Sequence, residues 1–318
     1  MSTVAAATGL RAPKLGSGPT RLVPLVALFA TLGLLIVSAS ACNRSDADPA
    51  PGPSTTAPPE VQAWTGILVV RETGEILWSK DPDRELPPAS CTKIMTALLT
   101  LERVNDLDAY ATVPDIPLPQ KVGVDLVPGD RITVREALRA LMVQSANDAA
   151  LTLAAHVAGS EKRFTRLMNR RARQLGLTHT HFMNCRGTPE DGHYSSARDL
   201  ATLGRLAMRD PVFRELVKTK TAVIRYPPDS AVPVENRNRL LDYPWGDGIK
   251  TGATDASGKV LVGSGRPGSV ALIVVTMHEP TRDQEEKDAV ALFEWGTAEY
   301  LRRSTAPASP AGSTPPSS

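Results

Sequence analysis

A serine and a lysine lie one helical turn apart at Ser90 and Lys93, within Pro87-Pro88-Ala89-Ser90-Cys91-Thr92-Lys93-Ile94-Met95. Two prolines cannot continue a helix but can introduce one, and good helix formers follow. Ser90 then falls at the helix start, with Lys93 on the same face. A serine hydroxyl attacks a carbonyl only when a base removes its proton, and a desolvated lysine can be that base. The backbone N–H groups of a helix start also favour a developing negative charge. Taken alone, the four-residue pattern also fits an ordinary buried helix.

Two further polar clusters interrupt apolar patterns. Ser145-Ala146-Asn147 falls in a short connection between helices expected over 138–143 and 148–157. Lys250-Thr251-Gly252 falls on a short extended segment, where alternation sends the Lys and Thr side chains to opposite faces and Gly252 leaves room for a substrate backbone. Ser145 and Asn147 would serve equally as helix caps, and Lys250 as a solvated strand lysine.

The elements that must position these residues follow from periodicity. Residues 65–70 and 75–78 form a hairpin pattern, and the Ser90 helix runs to about Arg103. Prolines at 114, 117, 119 and 128 break the next stretch into loop and short strand. Thr133-Val134-Arg135-Glu136 is a capping box opening a helix. Further helices are expected over about 161–174 and 197–209, the latter stopped by Pro211. Strands are expected at 220–226, 248–252, 259–263 and 270–277, and a last helix over about 283–301. This is an α+β pattern: an antiparallel sheet to which both chain ends contribute, flanked by helices, with a helical insertion between.

Around this domain, 61–303, the ends differ in character. Arg11, Lys14 and Arg21 precede an apolar run from Leu22 to Val37, and Ala39-Ser40-Ala41 then leads to Cys42. Residues 1–42 read as an export signal. Cys42 after small residues resembles the lipidated cysteine of bacterial lipoproteins, with Ala39 where such signals usually carry leucine. Ordinary cleavage or an uncleaved membrane span also fits. Residues 43–60 and 304–318 are rich in Pro, Ser, Thr and Ala and read as a disordered linker and tail. The expected location is outside the cell, on the outer face of the cytoplasmic membrane or in the wall.

The 36 Lys and Arg nearly balance 34 Asp and Glu, so nothing points to nucleic acid. Cys42, Cys91 and Cys185 form no zinc pattern, and His179 and His181 lack a third ligand at sensible spacing. No metal or cofactor is implied. Surface or loop roles are expected for the histidines. In an exported protein Cys91 and Cys185 invite a disulfide, although Cys91 also suits a small buried helix position.

Taken in order, Ser90-x-x-Lys93, Ser145-x-Asn147 and Lys250-Thr251-Gly252 resemble the three motifs of penicillin-binding proteins and serine β-lactamases. The flanks are similar to the D-alanyl-D-alanine carboxypeptidases of the low-molecular-mass penicillin-binding group. They include Leu86-Pro87-Pro88-Ala89, Asp148-Ala149-Ala150, Asp247-Gly248-Ile249 and Gly192-His193-Tyr194-Ser195-Ser196-Ala197-Arg198-Asp199. The resemblance spans nearly all of 61–303. It implies the transpeptidase-like fold of that group and an acyl transfer on peptidoglycan stem peptides, with β-lactam antibiotics acylating the same serine. Ser90 would be the nucleophile and Lys93 its base. Ser145 would pass a proton to the leaving D-alanine, and Asn147 would orient Lys93 and the substrate amide. Lys250 and Thr251 would bind the terminal carboxylate beside Gly252, and the N–H of Ala253 would join that of Ser90 around the oxyanion.

The sequence departs from the family at Ala253, where a bulkier residue is common, and at Thr188 in the Asn-x-x-Gly-Leu-Pro pattern. Better-known members carry a second β-rich domain and an amphipathic C-terminal anchor. Neither pattern is seen here, which puts any membrane attachment, by lipid or signal anchor, at the front. A D,D-endopeptidase would use the same residues. A class A β-lactamase needs a Glu-x-x-Leu-Asn segment that is not found, and intact motifs argue against a non-catalytic peptidoglycan-binding module.

Overall fold

A computed structural model describes residues 57–117 and 122–305. The signal segment with Cys42, most of the linker and residues 306–318 lie outside the described residues. Five strands form one antiparallel sheet: β1 (Thr65–Val70), β2 (Ile76–Lys80), β7 (Gly246–Thr254), β8 (Gly258–Gly265) and β9 (Leu272–Glu279). Their spatial order is β2-β1-β9-β8-β7, so strands from both ends of the domain meet at β1–β9, and β7 is an edge.

Alternation along these strands divides the interior in two. Ile67, Val69, Val260, Val262, Ile273 and Val275 point toward the helical insertion and join its core. Leu68, Val70, Leu261, Leu272 and Val274 point the other way, onto Leu292 and Phe293 of the last helix, α7 (Arg282–Thr305). With both faces covered, β1 reads as a continuous apolar run. Gly296 lets α7 lie close, because a Cβ there would stand 2.3 Å from Leu68 Cδ2.

The insertion holds α1 (Lys93–Arg103), the ribbon β3 (Tyr110–Thr112) and β4 (Arg131–Thr133), α2 (Val134–Arg139), α3 (Asn147–Ala158), α4 (Glu161–Gln174), α5 (Ala197–Ala207), α6 (Pro211–Lys218) and the hairpin β5 (Thr221–Tyr226) with β6 (Ser230–Glu235). Thr133 caps α2 by accepting from Glu136 N–H at 3.2 Å. Glu136 completes no reciprocal box, since its carboxylate turns to Arg139 and to the Arg225 N–H. Pro211 ends α5, as expected, and also opens α6: Asp210 accepts from Val212 and Phe213 N–H at 2.7 and 3.0 Å. Proline is at home in a first helical turn, so one residue serves as both stop and start.

Candidate active site

Ser90 does not start the α-helix itself. It sits in a tight 3-10 turn, Ala89–Thr92, that leads into α1 at Lys93. Two glycines fix this turn. A Cβ on Gly187 would fall 1.8 Å from Ala89 O, and one on Gly252 would fall 2.9 Å from Ser90 N and 2.8 Å from Ala89 Cβ. Gly187 is left-handed at φ +79° and sits in a turn built by Asn184, whose Oδ1 accepts from Arg186, Gly187 and Thr188 N–H. Ala89, pressed between them, is itself left-handed at φ +47°.

The second cluster is placed by a change of helical pitch. After α2 the chain makes one π-helical turn, Ala140–Gln144, and Ser145 ends it in the left-handed region at φ +67°. Such turns recur at functional sites because they redirect side chains. The Ser145 hydroxyl is buried and makes no hydrogen bond to a described residue. Two residues on, Asn147 opens α3.

Lys93 joins the clusters. Its Nζ lies 3.1 Å from Ser90 Oγ, 2.8 Å from Asn147 Oδ1 and 2.6 Å from Arg186 O. The side chain is fully buried. Burial first, and the Lys250 charge second, drive its pKa well below the ordinary lysine value. A neutral amine has two protons and one lone pair. Asn147 Oδ1 and Arg186 O can only accept, so in the neutral form they would take both protons and leave the lone pair for Ser90 Oγ. At 3.1 Å, Lys93 Nζ is within reach of the Ser90 proton, the distance a general base requires once the amine is neutral.

Lys250 lies on β7, 4% exposed, with Nζ donating to Thr251 O at 3.1 Å. Burial lowers its pKa to about 8, with Arg282 and Arg237 adding to the effect. Ser90, Ser145, Lys250, Thr251, Gly252 and Ala253 all line one small cavity, so the expected site residues come together, with Lys93 and Asn147 behind them.

Three contributors had no signal in the sequence, and a fourth, His193, was marked only by the family string that contains it. Arg237 and Arg282 line the same cavity, and with Ala253 they join it to a wider groove of about 790 Å³. Arg282 donates to Gly252 O at 2.9 Å and pairs with Glu285. Arg237 has no ion pair or hydrogen bond among the described residues. The Arg186 carbonyl is a backbone atom. His193 lies in a loop, as expected, but not at the surface: it is 6% exposed and lies 2.8 Å from Thr92 Oγ1, next to Lys93. Its Nδ1 accepts from Met183 N–H, which leaves the proton on Nε2 to reach Thr92. Cys91 and Cys185 are both free and buried, so they form no bridge. Cys91 Sγ points at the carbonyls of Lys250 and Val260, and Cys185 Sγ at Glu161.

With nucleophile, base, a buried unpartnered hydroxyl and several cations in one cleft, the arrangement can carry acyl transfer from a substrate that ends in a carboxylate. Known proteins agree in fold and sequence. The D-alanyl-D-alanine carboxypeptidase family model matches residues 53–281. The DacF carboxypeptidase of Bacillus subtilis is 32% identical over 245 residues, covering 75% of this chain and 63% of DacF. The chain thus spans less than two thirds of that relative. DacB2 of Mycobacterium tuberculosis is 35% identical over 266 residues, covering 80% of this chain and 88% of DacB2. The crystal structure of the Streptomyces K15 DD-transpeptidase superposes with a TM-score of 0.71 at 31% identity, covering 76% of this chain and all of that one. The expected penicillin-binding, transpeptidase-like fold is therefore the one found, and the chain belongs to the D-alanyl-D-alanine carboxypeptidase family.

Proposed function

We propose that the protein is a serine D-Ala-D-Ala carboxypeptidase acting on peptidoglycan stem peptides, with residues 61–303 as its catalytic domain. The observation that carries this is the buried Lys93 Nζ, held 2.8 Å from Asn147 Oδ1 and 2.6 Å from Arg186 O and standing 3.1 Å from Ser90 Oγ.

Ser90 Oγ attacks the carbonyl carbon of the penultimate D-alanine as its proton passes to Lys93 Nζ. The resulting oxyanion is held by the N–H groups of Ser90 and Ala253, and losing one such donor typically costs about 3 kcal/mol. The C–N bond breaks as Ser145 gives its proton to the departing amine, and Lys93 returns the proton to Ser145. Free D-alanine leaves a Ser90 ester. Water, deprotonated by the same base, opens that ester and restores the serine. Lys250, Thr251 and the unpaired Arg237 receive the terminal carboxylate, a role that suits buried or unpaired cations beside a hydroxyl. A β-lactam mimics the scissile amide and acylates Ser90 by the same first step.

Peptidoglycan lies outside the cytoplasmic membrane, which supports reading residues 1–42 as an export signal with Cys42 as a candidate lipid attachment point. Among the described residues no helix is long and apolar enough to cross a membrane. The test is mass spectrometry of the protein incubated with a penicillin, alongside D-alanine release from a D-Ala-D-Ala pentapeptide. A lasting adduct on Ser90 with D-alanine release is expected. An adduct that vanishes within seconds without D-alanine release indicates a β-lactamase, and neither adduct nor release overturns the catalytic reading.

A further inference from the structure

One wall of the cleft is a short lip, residues 122–126, that crosses in front of the Ser145-x-Asn147 turn. Val122 lines the catalytic cavity, and its carbonyl accepts from Asn147 N–H at 2.9 Å. Yet Val122 is left-handed at φ +59°, and Asp125 at φ +61°. For a β-branched residue that conformation is an outlier. Strain of this kind persists only where the surroundings impose it.

Asp148, next in sequence to Asn147, imposes it. Its carboxylate is 2% exposed and has no cationic partner among the described residues. Oδ2 accepts from Val124 and Leu126 N–H at 2.9 and 3.2 Å, and Oδ1 accepts from Ala149 N–H at 2.7 Å. Gly123 runs so close that a Cβ would stand 2.6 Å from Oδ2. Tyr226 OH donates to Val124 O at 2.9 Å from the far side. A buried carboxylate oxygen satisfied only by two backbone N–H groups of one loop fastens that loop to α3, since those donors would otherwise be stranded.

We propose that Asp148 is a positioning residue for the reaction, a role that rests on the carboxypeptidase reading above. It holds the lip down, the lip holds Val122 in its strained conformation, and the Val122 carbonyl then fixes the Asn147 backbone. The Asn147 side chain in turn holds one proton of Lys93, so the base is aimed at Ser90 through this chain of contacts. Without the Asp148 charge, Val122 relaxes toward an extended conformation and its carbonyl leaves Asn147.

The test compares the wild type with Asp148→Asn, Val122→Gly and the double variant, each in the full chain. Turnover of a D-Ala-D-Ala peptide is expressed per site titrated by a labelled penicillin, so unfolded protein does not count. Asp148→Asn is expected to lower kcat about 10- to 100-fold, the scale of a misplaced catalytic group, with little change in KM. Glycine adopts the left-handed region freely, so Val122→Gly in that background is expected to restore much of the lost kcat. The melting temperature stays low, because the missing hydrogen bonds are not replaced. A merely structural aspartate would move stability alone. Unchanged kcat per titrated site in Asp148→Asn, or a double variant no faster than the single one, overturns the proposal. Hydrogen exchange at the Asn147 amide reads the same clamp without turnover. Protection lost in Asp148→Asn and regained in the double variant supports it even if the enzyme assay fails, and protection unchanged in Asp148→Asn refutes it.

Discussion

Acid should loosen the nucleophile's turn through His193. Its Nδ1 already accepts the Met183 N–H at 3.1 Å, so a second proton would set two donors face to face. Burial, with a smaller contribution from His181, lowers its pKa from 6.5 to about 4. At about 1.4 kcal/mol per tenfold change in proton affinity, that gap is worth about 3 kcal/mol. The unfolded chain binds a proton at this residue below pH 6.5, whereas the native chain binds it only near pH 4. The contribution is therefore complete above pH 6.5 and is lost as the pH falls from 6.5 to 4. The assay is urea denaturation of the wild type and of His193→Gln at intervals from pH 7.5 to 4.5. The variant has no titrating ring, so the wild type's advantage over it should shrink by most of that 3 kcal/mol. NMR titration of the native ring should show a midpoint near 4. A midpoint near 6.5, or a stability difference that does not change with pH, would refute the reasoning.

Lys93→Arg keeps a cation that cannot give up its proton, so acylation by penicillin, followed as adduct mass against time, should slow by roughly 10²- to 10⁴-fold. Arg237→Ala should raise KM for a peptide with a free terminal carboxylate by about tenfold or more, the weight of a charged hydrogen bond. An amide-terminated peptide should not change. Glu279, fully buried among the described residues and close to Asp288, has its pKa raised to about 8, first by burial and then by the neighbouring Asp288 carboxylate. Its native form keeps a proton that the unfolded chain loses above 4.5, so wild-type stability falls as the pH rises from 4.5 to 8. Glu279→Gln should therefore match the wild type at pH 4.5 and exceed it by up to about 4 kcal/mol at pH 8.5 in thermal melts.

Legibility followed the range of the interactions. Ser90 and Lys93 were readable because one turn of chain brings them together, and the sheet because alternation along each strand survives its packing. The π-helical turn before Ser145 is a one-residue change of pitch, and no residue type announces it. From sequence Pro211 signals only a stop, because its role in opening α6 depends on the Asp210 side chain folding back. Arg237, Arg282 and His193 reach the cleft by tertiary packing from loops and a helix end with no fixed spacing to the three motifs. The Arg186 carbonyl was beyond reach in principle, since every residue has one. The string around His193 matched the family, and the one that begins at Asn184 departed from it only at Thr188, but their purpose appears only when Lys93 and Thr92 are seen beside them.

The nucleophile is held from two sides, and this explains why the site uses backbone so freely. Gly252 brings β7 against one side of Ala89 and Ser90, while Gly187 brings the Asn184 turn against the other. Neither approach leaves room for a Cβ, so the turn cannot drift toward either wall. The Gly252 side carries Ala253, the proposed second oxyanion donor, and the Gly187 side supplies the Arg186 carbonyl that accepts from Lys93. Attack on a carbonyl needs the base and the oxyanion donors correct at the same moment. Side chains that could change rotamer would have to be locked one by one. Backbone groups clamped around a left-handed Ala89 are locked together, and the strain at that residue is the cost of bringing both walls within reach of one hydroxyl.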